Sequence, residues 1–102
     1  MHVHQVEDEW FYVIEEEFAV QVGDERFRLT PGDSILAPRK VPHTYAQVGD
    51  GQGRLLIAYE PAGDMEGFFL EVSRLAGPPS ASEVQRVFRA HGMEVVGPPL
   101  KV

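Results

Sequence analysis

Short apolar runs alternate with turn residues over the first sixty positions. The runs are rich in aromatic and β-branched residues, and Gly, Pro and Asp follow them at close intervals, a pattern typical of strands in an all-β domain. Six strands are predicted, at 10–14, 18–22, 26–29, 34–37, 43–48 and 54–60. Gly23-Asp24 predicts a tight hairpin, because glycine readily adopts the positive φ that such turns require. Six strands suffice for a sandwich or a small barrel.

Beyond position 60 the hydrophobic period becomes helical. A first helix is predicted to follow Asp64 and to end before Gly77, and a second to follow Ser82 and to end at Gly92. The predicted buried stripes are Phe68, Phe69, Val72 and Leu75 in the first helix and Val84, Val87 and Phe88 in the second. Residues 93–102 are predicted to form a strand or an extended segment. We therefore expect a single domain over 1–102, with strands at about 1–60 and helices and tail at about 61–102.

Composition and charge narrow the classes of partner. Nine Lys and Arg against sixteen Asp and Glu give a net charge of -7, which repels phosphate backbones and anionic bilayers. We expect no nucleic-acid or membrane partner. The longest apolar runs, at 10–14 and 55–59, are far shorter than the roughly 20 residues of a spanning helix, and no basic-then-apolar leader is seen. A cytoplasmic location is the expectation. Because cysteine is absent, any chemistry must use His, carboxylate, Tyr or a cofactor.

Three of the four histidines fall in the strand-rich part of the chain. His2 and His4 project to the same side of an extended strand, about 7 Å apart, because side chains alternate faces. Glu9 follows after a short bend, and His43 begins a later strand. Three imidazoles and a carboxylate suit Fe, Mn, Ni, Co or Zn and leave positions that a substrate or dioxygen can occupy. Alternatively, the two N-terminal histidines belong to a disordered terminus and Glu9 to a solvated acidic run.

The same residues resemble the two motifs of the cupin superfamily. The first motif is H-x-H, three or four residues, Glu, six residues and Gly, and its counterparts here are His2, His4, Glu9 and, at the glycine position, Glu16. The second is Gly, five residues, Pro-x-Gly, two residues, His, three residues and Asn, and its counterparts are Gly32, Pro38, Lys40 at the second glycine position, His43 and Gln47. The motifs span residues 2–47. The C-terminal helix and tail are similar to small single-domain cupins of the quercetin-dioxygenase-like group.

The resemblance implies a fold, a cofactor and an activity. The fold is an all-β jelly roll with two short C-terminal helices, and the cofactor is a divalent metal ion held by His2, His4, Glu9 and His43. The activity is that of a dioxygenase-type oxidoreductase on a small enol-like or phenol-like substrate, with Glu9 also serving as the catalytic base. An isomerase or epimerase that uses the ion as a Lewis acid, and a non-catalytic module that binds metal or a small ligand, remain as alternatives.

The resemblance also bears on assembly and on backbone strain. The glycine that usually stands before the first histidine has no counterpart, so the resemblance implies either an N-terminally trimmed or misassigned chain or a partner subunit that covers the exposed edge. Cupins commonly pair through sheet edges, and a missing first strand leaves such an edge, so we expect a homodimer. Glu16 and Lys40 are expected to cost on the order of 1 kcal/mol each if their backbones need positive φ.

Strand parity predicts which other side chains line the pocket. Tyr45 and Gln47 lie at even offsets from His43 and therefore share its face of the strand. Phe11 and Val13 share the face of Glu9 by the same rule. We expect these four side chains to form the substrate pocket, with ordinary core packing as the alternative for the apolar ones.

Overall fold

A computed structural model describes residues 1–101, which form eight strands and two helices. The strands are β1 (His2–His4), β2 (Asp8–Glu15), β3 (Glu17–Val22), β4 (Glu25–Leu29), β5 (Ser34–Ala37), β6 (His43–Val48), β7 (Arg54–Glu60) and β8 (Met93–Val95). The helices are α1 (Met65–Ser73) and α2 (Ala81–Ala90). All six strands predicted between positions 10 and 60 are present.

Two antiparallel sheets form the body of the fold. The larger has the strand order β4-β3-β6-β1-β8, and the smaller has the order β5-β2-β7. Inward side chains of both sheets meet in an apolar core, whose buried members are Phe11, Val13, Phe18, Val20, Leu29 and Ala37. The predicted all-β fold with two C-terminal helices is thus confirmed.

The first strand lies inside the larger sheet. β1 pairs with β6 on one side and with β8 on the other, in the register His2↔Val95 to His4↔Met93. The backbone N–H of Lys40 donates to the His4 carbonyl at 2.7 Å and that of Gln5 donates to the Gly92 carbonyl at 3.0 Å. The expectation of an exposed edge at the first strand is therefore wrong, because residues 93–95 add a strand there.

The helices cover one end of the sandwich, and their details differ from the prediction. Ser80, not Ser82, caps α2, since its hydroxyl oxygen accepts from the Glu83 N–H at 3.2 Å. α1 buries Phe68 but leaves Phe69 and Val72 exposed, and it ends before Leu75. Within residues 1–101, no helix combines the length and apolar character needed to cross a membrane.

Two residues at the glycine positions of the motifs adopt left-handed backbone conformations. Glu16 has φ of 67° and Lys40 has φ of 66°. The predicted need for positive φ is confirmed at both turns. The side chains at these positions strain the backbone, because a β-carbon is disfavoured in this region.

Candidate metal centre

The four side chains predicted as metal ligands converge on one point between the sheets. One potential ligand atom from each of His2, His4, Glu9 and His43 lies within 4.8 Å of all the others. Glu9 Oε1 lies 2.8 Å from His4 Nε2, 3.1 Å from His43 Nε2 and 4.0 Å from His2 Nε2. The cluster is almost completely enclosed, with only His2 partly exposed.

The two sheets supply different parts of this cluster. His2 and His4 lie on one face of β1, and His43, the first residue of β6, is the register partner of His2. Glu9 comes from β2 in the opposite sheet. The cluster therefore exists only when the sheets are packed together, although its members are up to 41 positions apart in the sequence.

Outward contacts orient two of the imidazoles. His4 Nδ1 lies 3.1 Å from Glu7 Oε1, and His43 Nδ1 lies 3.5 Å from the Val41 carbonyl oxygen. Both partners accept hydrogen bonds, so with an ion bound the Nδ1–H tautomer would satisfy these contacts and leave the Nε2 lone pairs for the ion. In the metal-free protein the Nε2 atoms of His4 and His43 instead donate to Glu9 Oε1, at 2.8 and 3.1 Å.

The donor separations fit a divalent transition-metal ion. Two donors about 2.1 Å from one ion and about 90° apart lie about 3 Å from each other. His2 Nε2 and His4 Nε2 are separated by 3.1 Å, and the shortest Glu9 contacts have similar lengths. Imidazole and carboxylate donors suit Fe, Mn, Ni, Co or Zn, so the donor set does not select one of them.

Burial and mutual contacts shift the protonation equilibria of the cluster. Burial, reinforced by His43, lowers the pKa of His2 to about 3. Burial alone raises the pKa of Glu9, but hydrogen bonds from His4 and His43 outweigh it and lower that pKa to about 2. Burial likewise disfavours the charged form of His4, yet Glu9 and Glu7 together raise its pKa. Glu9 is thus held as a carboxylate, the form that binds metal.

Comparison with known proteins places this arrangement in a family. The sequence profile of the cupin domain family matches residues 1–59, more than half of the chain. The chain is a member of the cupin family. An uncharacterized protein of Methanocaldococcus jannaschii, MJ1618, is 28% identical over 61 residues, which are 60% of this chain and 49% of that protein.

Two solved structures resemble this cupin. KdgF from Halomonas sp. has a TM-score of 0.50 and 30% sequence identity, over 58% of this chain and 53% of that one. The TT1209 protein from Thermus thermophilus has a TM-score of 0.49 and 33% identity, over 56% of this chain and 54% of that one. The chain spans about half the length of the relatives that it matches.

Glu7 is a buried carboxylate of this cupin that the sequence analysis did not single out. Its side chain has 1% exposure, and its only hydrogen bond among the described residues is the one between Oε1 and His4. Oε2 has no partner and lies against Gly63, where any β-carbon would collide with it. The position of Glu7 three residues after His4 is the signal that could have identified it, because a tight bend brings such residues together.

A cavity of about 240 Å³ opens beside the cluster. Its wall combines residues of both sheets with residues of the C-terminal helices, namely His2, Glu9, Tyr45, Ile57, Tyr59, Met65, Phe68, Phe69, Phe88 and Met93. Tyr45 lies in this wall, where the sequence placed it. Tyr59 was missed, although its even offset from Ile57 on β7 gives it the same inward face.

The other three predicted pocket residues lie elsewhere. Phe11 and Val13 are completely buried in the core between the sheets, and the Phe11 ring also packs against His43 and Tyr45, with centroid distances of 5.9 and 5.3 Å. Gln47 turns toward the 49–53 loop, where its side chain donates to the Gly51 carbonyl and accepts from the Gly53 N–H. None of the three lines the cavity of about 240 Å³, because face parity does not specify depth along the barrel, and their part in a substrate pocket stays a prediction.

Proposed function

We propose that this protein is a metal-dependent cupin enzyme, an oxidoreductase of dioxygenase type that acts on a small enol-like or phenol-like substrate. The observation that carries the proposal is the convergence of three imidazoles and one carboxylate at the wall of an aromatic cavity. His2, His4, Glu9 and His43 would hold the ion, and a bound ion would supply a Lewis acid with open positions for substrate and, if redox-active, for dioxygen chemistry.

The cavity supports a small neutral substrate. No Lys or Arg is among the residues that line it, so a carboxylate or phosphate that does not reach the ion would lack a partner there. Its volume of about 240 Å³ is below the roughly 300–1,000 Å³ of pockets for drug-sized ligands. Phenylalanine and methionine side chains from α1, α2 and β8 give the wall its apolar character. A compact, largely apolar molecule with one or two oxygens matches this lining.

Tyr45 and Tyr59 supply neutral hydrogen-bond donors to this space. Burial and the nearby Glu9 charge raise the pKa of both phenols, so both remain protonated at neutral pH. Neither hydroxyl is hydrogen-bonded to another described residue. Both are therefore available to bind a substrate oxygen and fix its orientation.

Glu9 is the group best suited to accept a proton from the substrate. It lines the cavity, and its contacts with the imidazoles all involve Oε1. Its other oxygen makes no hydrogen bond within residues 1–101. In the proposed reaction Glu9 takes the enol or phenol proton, whose acidity a bound ion would increase.

Metal content and oxygen consumption test the proposal together. Purified protein should bind one divalent ion per chain and, after loading with Fe, Mn, Co or Ni, should consume oxygen with a member of a panel of small diketones, catechols and flavonols. His43→Ala should lose both properties. His91→Ala is the matched control, because His91 contacts Asp64 and Glu71 outside the cluster. Metal binding that survives His43→Ala would contradict the proposed site.

A Lewis-acid isomerase or epimerase is the second candidate. The presence of a carboxylate base and two protonated phenols around one cavity favours this candidate. Such groups can move a proton between two positions of a substrate. Solvent deuterium exchange into the same substrate panel without oxygen uptake would support this candidate over the oxidoreductase. Stoichiometric metal with neither reaction would favour a binding module.

A further inference from the structure

A second cavity, of about 260 Å³, lies against the larger sheet on the side away from the metal centre. Its floor includes Arg26 of β4, Gln21 of β3 and Thr44 of β6, which the strand register places next to one another. Thr44 follows His43 along β6, so its side chain points to the opposite face of the sheet. None of the described residues lines both cavities. This second space is called the outer cavity.

Residues 96–100 form the opposite wall of the outer cavity. Hydrogen bonds fix where this segment begins. The Gln85 side chain accepts from the Val95 N–H at 2.9 Å and donates to the Val95 carbonyl at 3.1 Å. The Val96 N–H donates to the Met1 carbonyl at 3.0 Å. Two consecutive prolines in the segment have no backbone N–H, so this wall offers mainly apolar surface to a ligand.

Arg26 is the one charged side chain among the described residues that line the outer cavity. Its Nε donates to Gln21 Oε1 at 3.2 Å, which orients the guanidinium. Its terminal nitrogens make no hydrogen bond or ion pair with another residue of 1–101. The chain has sixteen Asp and Glu, but none of them lines this space. A guanidinium with unpaired terminal N–H groups and no neighbouring acid suits an anionic ligand.

Thr44 adds a buried hydroxyl to the floor of the outer cavity. The residue is only 8% exposed, and its hydroxyl makes no hydrogen bond with another residue of 1–101. Among these residues, Glu7 Oε2 is the one fully enclosed side-chain oxygen or nitrogen without a partner, so the Thr44 hydroxyl is open to the cavity. Buried polar groups normally have a hydrogen-bond partner, and a ligand oxygen in the outer cavity would supply one.

We propose that the outer cavity binds a small monocarboxylic acid with a compact apolar body. The two carboxylate oxygens accept from the terminal N–H groups of Arg26 and from the Thr44 hydroxyl, and the apolar body packs against residues 96–100. The volume of about 260 Å³ excludes a larger ligand. A phosphate dianion would meet a single guanidinium and a largely apolar wall, which would leave several of its oxygens unpaired. This site does not depend on the reaction proposed for the metal centre.

Titration of the isotopically labelled full chain with sodium benzoate, followed by amide chemical shifts at constant ionic strength, tests this assignment. The amides of Gln21, Arg26, Thr44 and Gly97 should shift together and saturate with a dissociation constant of about 1 mM, which a ligand of this size can reach. Benzamide, the neutral analogue, should bind at least about fivefold more weakly, because it lacks the charge. Since benzoate can also bind a metal ion, the metal-free protein is titrated first and the protein with Zn²⁺ second. Both forms should show these shifts.

Three variants identify the groups that bind benzoate. Arg26→Gln should weaken binding at least about fivefold, and Thr44→Val, which preserves the shape of the side chain, should weaken it about threefold to fivefold. Arg54→Gln is the matched control, because it removes the same charge from an exposed position on the smaller sheet, outside the cavity. This control should bind as wild type does.

Four results would overturn the assignment. The first is the absence of saturable shifts up to about 20 mM benzoate, well above the expected dissociation constant. The second is equal weakening by Arg26→Gln and Arg54→Gln, which would indicate a general effect of charge. The third is a set of shifts confined to residues around the metal centre. The fourth is inorganic phosphate that binds as tightly as benzoate with the same shifts, which would indicate a general anion site.

Discussion

Glu7 offers a substitution that separates metal affinity from folding. Its Oε1 holds the Nδ1–H of His4 at 3.1 Å, and both side chains are almost completely buried. Glu7→Gln preserves the size of the side chain and retains a carbonyl oxygen that can accept the same hydrogen bond. The substitution removes only the negative charge of Glu7. That charge makes His4 a stronger metal ligand and fixes its tautomer.

The expected magnitude follows from these contacts. Loss of a residue that supports a metal ligand typically lowers metal affinity by about 10–100-fold. Because Gln can keep the hydrogen bond, we expect the lower end, about tenfold or about 1.4 kcal/mol. The metal-free protein should be as stable as wild type or slightly more stable. Glu7 Oε2 is buried without a partner, so removing its charge relieves a desolvation cost.

Competition titration with a chromophoric chelator, using Co²⁺ or Zn²⁺, measures the change in affinity, and urea unfolding of the metal-free protein measures stability. Asp8→Asn is the matched control, since it removes a neighbouring acid that pairs with Arg39 at the surface. Affinity unchanged in Glu7→Gln, or lowered equally in Asp8→Asn, would refute the role assigned to Glu7. A fall in affinity that is matched by a loss of metal-free stability would indicate a purely structural role.

Three further predictions concern stability. Lys40→Gly should raise the free energy of unfolding, measured in urea, by about 1 kcal/mol, because glycine adopts the φ of 66° at this position without strain. Lys40→Ala should give no such increase, and an equal increase in both variants would exclude backbone strain as the cause. Hydrogen bonds from His91 to Glu71 and Asp64 raise the pKa of that imidazole. The stabilisation that protonated His91 gives the folded protein is complete at a pH below the ordinary histidine pKa of 6.5. This stabilisation is lost as the pH rises through the raised pKa of His91 in the folded protein. The cost of His91→Gln, about 1 kcal/mol at acid pH, should therefore disappear at alkaline pH in urea titrations, and a pH-independent cost would contradict it. Phe11→Ala should cost about 3–5 kcal/mol by urea unfolding, as expected for a completely buried side chain. A cost below about 1 kcal/mol would contradict its placement in the core.

Strand periodicity predicts most of this fold because it follows directly from side-chain alternation. The segments from β3 to β7 lie within a few residues of their predicted limits. The cap of α2 at Ser80 was missed because Ser80 and Ser82 offer the same hydroxyl chemistry, so residue type alone does not choose between them. The pairing of β8 with β1 depends on contacts between the two ends of the chain, which no local pattern encodes.

Motif spacing predicted the four candidate metal ligands but not the rest of the candidate site. His2, His4, Glu9 and His43 stand at cupin-like intervals, and the structure brings them together. Spacing does not show depth or long-range packing, which explains why the turn of Gln47 toward the 49–53 loop was not foreseen and why Tyr59 was omitted. The aromatic wall comes from helices that fold back over the barrel, and those contacts become visible only in three dimensions.

The central claim is that three imidazoles and one carboxylate bind a single divalent ion. Its most direct test is an anomalous-difference map, recorded near the manganese absorption edge, from crystals of the full chain grown with Mn²⁺. We expect one strong peak between the sheets, bonded to the Nε2 atoms of His2, His4 and His43 and to an oxygen of Glu9. A map without that peak, or a peak bonded to other side chains, would contradict the claim.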